Sequence, residues 1–441
     1  MKIFLASLGC DKNLVDAEGM LGHFRDAGYG FTDDEYEADV ILVNTCCFIN
    51  DAKEESIQTI IDLADCKEHG RCKALLASGC LAQRYKDEIM ELLPELDGIL
   101  GIRDCDQAVR LVNDILAGAH HEALISAEDR PVHAVDRILT TGGHYAYLKV
   151  SEGCDKHCTY CVIPSVRGRY RSIPMEELVS QARKLAEGGV KELILVAQET
   201  TLYGTDLYGE KCLPQLLKKL AAIDGIYWIR LLYCYPEEIT QELLDVMASE
   251  PKICHYLDIP IQHGSDRILK RMGRRTTQQD LREKIAAIRK AMPDCTLRTT
   301  LITGFPGETE EDHQINMDFI DEMEFDRLGV FTYSQEEGTP AAAMPDQVDD
   351  QVKAARRDEL MELQQEIVFA RSEELIGRQL LVMVEGKVAD ENAYVSRTYM
   401  DAPGVDGYLF IQTPEELMTG DFARVIVTGV NDYDLIGELV Q

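Results

Sequence analysis

Long apolar runs are missing from these 441 residues: none approaches the roughly 20 that a bilayer-spanning helix needs, so a helical membrane protein is excluded. The opening segment, MKIFLASLGCDKNLVDAEGM, carries acidic residues where a secretory signal would carry its apolar core. A soluble, cytoplasmic protein with no membrane partner is expected. Positive charge is scarce too, with 45 Lys and Arg against 78 Asp and Glu and a formal net charge of -33. Such a surface repels a phosphate backbone and attracts a basic partner, so bulk nucleic-acid binding is disfavoured and a basic protein substrate is permitted. Cysteine is plentiful, at 14 residues. In a long acidic chain with no export signal, thiols stay reduced, and metal binding or catalysis is their expected use in place of disulfides. Cys66, Cys72, Cys105, Cys212, Cys234, Cys254 and Cys295 lie within or beside ordinary helix or strand patterns, where a free cysteine serves as a small hydrophobe.

Three regions follow one another. The first, residues 1–135, alternates short apolar strands (KIFLAS, DVILVN, KALLAS) with helical patterns near Asn13 to Ala27, Ile57 to Leu63 and Ala108 to Leu116. That rhythm predicts a small parallel α/β sheet. The second, residues 140–371, has six probable strands, at 145–150, 192–197, 226–233, 254–259, 297–302 and 327–333, separated by helical stretches and followed by a charged exit helix from about Asp349 to Arg371. Six βα units predict a partial (β/α)6 barrel whose working loops lie at the strand C-terminal ends. The third, residues 372–441, reads as all-β, with QLLVMVEG, AYVSRTYM, YLFIQT and ARVIVTGV separated by Gly, Pro, Asp or Asn, and predicts a small five-stranded barrel. From Glu373 onward it holds 13 acidic residues and 4 Lys or Arg, a net of -9.

The strongest local signal is KVSEGCDKHCTYCVIP, directly after the first barrel strand. Cys154, Cys158 and Cys161, spaced C-x3-C-x2-C on one loop, can converge on one metal centre, and thiolates suit zinc or iron–sulfur. A structural zinc wants a fourth ligand, for which His157 is the nearest candidate. Three thiolates on a four-iron cluster leave one iron open to a small ligand. The spacing favours the cluster and leaves zinc, or simple packing, as the alternative. Other strand-end segments supply candidate cofactor contacts: Gln198 and Glu199 in LVAQET, the segment DIPIQHGSD, and Thr303 and Gly304 in LITGFPGE, where glycine permits close approach of a ligand. Arg167, Arg169 and Arg171 in VRGRYRS form a basic spot able to pair with a carboxylate of cofactor or substrate, or to sit on a solvated face.

In the first region Cys10, Cys46 and Cys80 each stand just beyond a parallel strand, where an open α/β sheet gathers its ligand-binding loops. Their repeated placement points to a shared metal site, with Cys47 as a competitor for Cys46.

The loop from Cys154 to Cys161, with Tyr160 before its last cysteine, resembles the defining loop of the radical S-adenosylmethionine superfamily, and SLGCDKN, NTCCF and SGCLAQRY resemble segments of the methylthiotransferases within it. The closing β module is similar to that family's TRAM domain. The resemblance implies two 4Fe-4S clusters, one on Cys154, Cys158 and Cys161 and one on Cys10, Cys46 and Cys80, with Cys47 a neighbour and not a ligand. It also implies S-adenosyl-L-methionine as cofactor, cleaved at the first cluster to a 5'-deoxyadenosyl radical, while the second cluster presents sulfur to the substrate carbon. An electron donor and a sulfur source are implied partners. Family members act on an adenosine of transfer RNA or on the β-carbon of an aspartate in the twelfth protein of the small ribosomal subunit. A TRAM domain that grips RNA should be basic, whereas an acidic one suits a basic ribosomal protein, free or on the ribosomal subunit. The AQETTLYG and PIQHGSD segments also resemble the ribosomal-protein branch. Transfer RNA modification is the alternative enzyme reading, and a metal-stabilised ribosome-binding protein is the alternative without catalysis.

Overall fold

Continuous apolar runs such as VILVNT and ALLASG can only be satisfied where both faces of a strand are covered. In the computed structural model, which describes residues 1–86, 88–119, 122–126 and 130–440, both lie at the centre of a six-stranded parallel sheet. Its order is Gly30–Phe31, Lys2–Ser7, Val40–Thr45, Ala74–Gly79, Gly98–Leu100 and Glu122–Leu124. Helices Asp11–Asp26 and Ala108–Leu116 cover one face through Met20, Phe24, Leu111 and Ile115; helix Asn50–Ala64 covers the other through Ile60 and Leu63.

The second sheet is also parallel and six-stranded, with every strand beside its neighbour in sequence: Tyr145–Lys149, Glu192–Val196, Trp228–Leu231, Ile253–Asp258, Thr296–Thr303 and Arg327–Thr332. Its first and last strands are its two edges, as a partial barrel requires. Alternate residues Leu193, Leu195, Ile229 and Leu231 face outward onto helices including Met175–Glu187 and Leu213–Ala221. The inner face, Ile194, Val196, Trp228 and Tyr256, packs on Met383 and Ala402 of the C-terminal module.

That module is a closed barrel of five strands in the order Gln379–Lys387, Ala393–Thr398, Leu409–Gln412, Asp434–Leu439 and Phe422–Asn431. It plugs the floor of the larger barrel, at the strands' N-terminal ends. Helix Asp350–Glu373 delivers it there: Lys353 lies beside Thr303 at the top of one strand, and Arg371 pairs with Asp326 at the foot of the next. A buried network holds the plug. Glu192 accepts from Arg230 at 2.7 Å and from Arg397 at 2.7 Å, and Arg327 reaches Asp401 at 2.6 Å.

The N-terminal sheet domain sits at the opposite end. Helix Asp11–Asp26 packs along the first barrel strand, and Lys53 and Arg84 each meet Glu336, just beyond the last strand, at 2.9 Å. Both edges of the open barrel are therefore tied to one rigid body. Among the described residues no helix is long and apolar enough to cross a membrane.

Candidate metal and cofactor centre

The three strand-end loops of the N-terminal sheet bring their cysteines together. Cys10 is the N-cap of helix Asp11–Asp26, Cys46 follows strand Val40–Thr45, and Cys80 opens helix Cys80–Arg84. Gly9 makes the approach possible: it holds φ +85, and a Cβ there would stand 2.7 Å from the Cys46 Cβ and 2.9 Å from its Sγ. Burial pushes the Cys80 thiol up to about 11, and the thiols of Cys10 and Cys46 add to the rise. Cys46 is raised for the same first reason, with Cys10 contributing. Cys47 is buried in the apolar cluster of Val43, Ile60 and Leu63, which also holds Cys80, and its backbone carbonyl accepts from Arg84 at 3.3 Å.

On the barrel side, Cys154 and Cys158 are buried and Cys161 is half-buried. The loop is clamped from several elements. Cys154 N–H donates to the Gly168 carbonyl at 3.1 Å, and Thr159 N–H donates to the Met272 carbonyl at 2.9 Å. The Tyr235 hydroxyl lies 3.8 Å from the Cys158 sulfur, and Arg274 Nη1 lies 3.9 Å from it. His157 is exposed and does not turn into the loop. Burial pushes the thiols of Cys154 and Cys161 up, to about 11 and about 12. The raised thiols, Cys46, Cys80, Cys154 and Cys161, stay protonated at neutral pH until a metal displaces the protons.

The donor set fits an iron–sulfur core. Among the described residues no three His, Cys, Asp or Glu side chains converge on the position of one metal ion. A closed zinc site draws four donors to within about 2.0–2.3 Å of a single point; two sets of three thiols suit iron–sulfur cores that each leave one iron open. A zwitterionic amino acid cofactor also finds complementary groups. Glu199 is fully buried, its Oε1 accepts from Thr201 N–H at 2.9 Å, and its Oε2 has no partner among the described residues. Across the loop, the Nε of the buried Arg274 is without a hydrogen-bond partner among the described residues.

Gln198 fixes the approach to Cys154, accepting from Gly153 N–H at 2.8 Å and donating to Glu152 at 3.1 Å. The Thr303 hydroxyl donates to the Lys353 carbonyl at 3.1 Å, and a Cβ on Gly304 would collide with the Lys353 side chain. Of the three clustered arginines, Arg167 is buried and already neutralised: it donates to Glu152 at 2.9 Å, to Asp16 at 3.1 Å and to Asn13 at 3.1 Å. Lys149 reaches the same two carboxylates, so the hub carries two positive and two negative charges. Arg171 donates to the carbonyls of Arg130 and Arg167, and Arg169 lies 3.9 Å from Asp155.

Two residues that pattern reading passed over stand between the thiol sets. Tyr233, just past strand Trp228–Leu231, holds the left-handed φ of 59. Its hydroxyl donates to Asp11 at 3.2 Å, and Lys12 Nζ sits 3.1 Å from its ring centroid. The only signals were the aromatic doublet in LLYCYPEE and a lysine two places after Cys10.

Comparison with known proteins agrees with this layout. Residues 148–320 match the radical SAM superfamily, residues 2–101 the uncharacterized protein family UPF0004, and residues 376–440 the TRAM domain. A solved radical S-adenosylmethionine methyltransferase, TsrM from Kitasatospora setae with cobalamin and a 4Fe-4S cluster bound, superposes with a TM-score of 0.57 at 16% identity, covering 77% of this chain and 76% of that one. That likeness shows the fold. Two curated relatives carry the description ribosomal protein uS12 methylthiotransferase RimO. The one from Lachnoclostridium phytofermentans is 60% identical over 99% of each chain, and the one from Pelotomaculum thermopropionicum is 51% identical over 100% of this chain and 99% of the relative. With identity of that order over its whole length, the chain belongs to the ribosomal protein uS12 methylthiotransferase family.

Proposed function

We propose that this chain methylthiolates the β-carbon of an aspartate in ribosomal protein uS12, working in the cytoplasm. One observation carries the reading: Tyr233 lies beside Asp11 and Lys12, next to Cys10, while Tyr235 lies beside Cys158. Two residues of extended chain span at most about 7 Å, so one short strand-end segment reaches from the residues next to Cys10 to the Cys158 sulfur. A substrate carbon held there faces both.

When bound, two 4Fe-4S clusters and S-adenosyl-L-methionine would supply a 5'-deoxyadenosyl radical on one side and sulfur with its methyl group on the other, chemistry that protein side chains do not provide. The chain's own residues hold and orient these groups. Cys10, Cys46 and Cys80 hold one cluster, and Cys154, Cys158 and Cys161 hold the other. Glu199 and Arg274 take the amino and carboxylate ends of the cofactor, with Gln198, Thr303 and Gly304 as the strand-end contacts for the rest of it. The division of labour follows the domains, at residues 1–135, 140–371 and 372–441. An electron donor and a sulfur source complete the system.

The acidic C-terminal module supports a basic protein as substrate, free or on the ribosomal subunit, over transfer RNA. Glu385, Asp401 and Asp406 are spent on the barrel floor, but Asp390, Glu391, Glu415 and Glu416 face solvent. The test offers anaerobically reconstituted protein both uS12 and transfer RNA and analyses each by mass. A methylthio group is expected on uS12 alone; gain on RNA alone refutes the reading. Cys154→Ala should abolish 5'-deoxyadenosine release, whereas Cys10→Ala should keep it and lose methylthio transfer.

A further inference from the structure

We propose that Lys12 is the counter-cation that seats the carboxylate of the aspartate side chain to be modified. The inference rests on the proposed function and assigns one residue within its site.

Lys12 is 6% exposed, yet among the described residues no carboxylate lies within ion-pair distance of it. Its neighbours at the mouth are matched. Lys149 has Asp16 and Glu152, Lys156 has Glu237 and Glu238, and Arg167 has Asp16 and Glu152; nearer the floor, Arg298 has Asp258 and Asp406. Arg274 faces the Cys158 sulfur on the far side of Tyr235. A buried ammonium without an anion is costly, and a ring face offsets only part of that cost. Among the described residues the Lys12 Nζ makes no hydrogen bond, and it is not one of the sealed polar atoms, so it keeps an opening. A ligand anion can reach it.

The surroundings sharpen what that anion is. Lys12 lies in the first turn of the 16-residue helix Asp11–Asp26, whose N-cap Cys10 makes no side-chain capping bond, so the amino-end dipole adds to its field. Tyr233 is a fixed platform: its N–H donates to Asp258 at 3.0 Å, its hydroxyl donates to Asp11, and its strained φ is held by these contacts. The cation therefore stands still, beside Cys10 and over the barrel mouth. In an aspartate side chain the carboxylate is bonded directly to the β-carbon. Fixing the carboxylate on Lys12 fixes that carbon between the two thiol sets and decides which side chain of a basic protein can react.

The test compares the reconstituted wild type with Lys12→Met, which keeps the stem on Tyr233 and removes the charge, and with Lys12→Arg. Each is titrated by fluorescence anisotropy with a uS12 peptide carrying the target aspartate and with its asparagine counterpart. Wild type should bind the aspartate peptide about 10- to 100-fold more tightly, the span of one charge-assisted hydrogen bond. Lys12→Met should bind both peptides equally, at the asparagine level, and Lys12→Arg should recover part of the preference. Iron content and the electron paramagnetic resonance signals of both clusters report that the sites are intact. A preference that survives Lys12→Met overturns the proposal. So does a cluster signal that changes in Lys12→Met while the preference holds, since Lys12 would then serve the cluster's charge. Wild-type methylthiolation of transfer RNA in place of uS12 would instead overturn the proposed function.

Discussion

Replacing Glu192 by glutamine should loosen the C-terminal barrel from the floor of the large one. Glu192 opens the second barrel strand, and its side chain, like those of Arg230 and Arg397, has 0% exposure. Each of its oxygens accepts one guanidinium hydrogen bond at 2.7 Å. Arg397 keeps a second carboxylate, Glu385, at 2.7 Å. Arg230 keeps only backbone carbonyls, Tyr399 at 2.6 Å and Thr398 at 3.5 Å. Glutamine preserves the shape, removes the charge, and turns an amide donor toward a guanidinium donor, so one buried cation is left without an anion. Removing one partner of a buried pair costs about 3–5 kcal/mol. Glu385→Gln is the control: that side chain is 16% exposed and shared with His144, and losing it should cost only about 1–3 kcal/mol. Calorimetry should show the first unfolding transition falling further in Glu192→Gln than in Glu385→Gln, and limited proteolysis should cut between the barrels. The pH dependence has a definite sign. Burial works to raise the Glu192 pKa, but Arg397 and then Arg230 outweigh it and hold it low. The ion pair's contribution is thus complete above the ordinary carboxylate range and is lost as pH falls below it toward the depressed value. Glu192→Gln should lack that acid-induced loss. Equal stability of the two variants, or an unchanged acid limb in Glu192→Gln, would refute the network as the lock.

Cys46→Ala should lose roughly half of the bound iron, because each cluster depends on three thiolates; Cys47→Ala should keep the iron and lose about 1 kcal/mol of stability, as an ordinary core change does. Iron analysis of the two reconstituted variants decides between the neighbouring cysteines. At Glu199, burial pushes the carboxyl up to about 7 against the pull of Thr201 and Lys156. A cationic amino group favours its ionised form, so S-adenosyl-L-methionine affinity should rise with pH up to about 7 and release a proton on binding below that. Glu199→Gln should bind about 10-fold or more weakly and without that slope; calorimetric titration in buffers of different ionisation enthalpy would expose a slope that persists.

Of the six strands of the large barrel, Glu192–Val196, Trp228–Leu231 and Ile253–Asp258 were legible because they are buried parallel strands and therefore near-continuous apolar runs, while the edge strand Tyr145–Lys149 was legible by its alternation. Strands Gly30–Phe31, Gly98–Leu100 and Glu122–Leu124 were not, since two or three residues at or near a sheet edge carry no period. Strand Asp434–Leu439 escaped the run-based reading for a related reason: its buried positions, Leu435 and Gly437, alternate with half-exposed ones. Helix Asn50–Ala64 begins well before Ile57 because its first two turns, NDAKEES, show one small buried residue, Ser56, and no apolar stripe. The cysteines of both centres were visible as strand-end residues. Their supports were not, because they are relations across the chain: Arg167 meets Asp16 and Glu152, and Lys12 meets Tyr233, only after the two domains dock. Sequence alone gives Arg167 a positive charge; the fold determines that this charge is already balanced.

The two docking interfaces together determine how a substrate enters. With the C-terminal barrel plugging the strand N-terminal ends, access to the inner face remains only from the mouth. There the N-terminal domain is fastened at both edges, by Asp16 to Lys149 on one side and by Lys53 and Arg84 to Glu336 on the other. Glu336 is buried and has Ser334 as a further donor at 2.8 Å, so this second tie is not a solvated surface pair. Two attachments on opposite edges oppose rotation about either one. That rigidity matters because misplacing a reacting atom by about 1 Å can cost about 100-fold in rate. The acidic exterior and the cationic seat then act at different ranges. Long-range attraction draws a basic protein, but it pushes away that protein's own carboxylates. An aspartate can enter such a field only if a cation waits at the end of the path, and at the mouth Lys12 has no anion among the described residues.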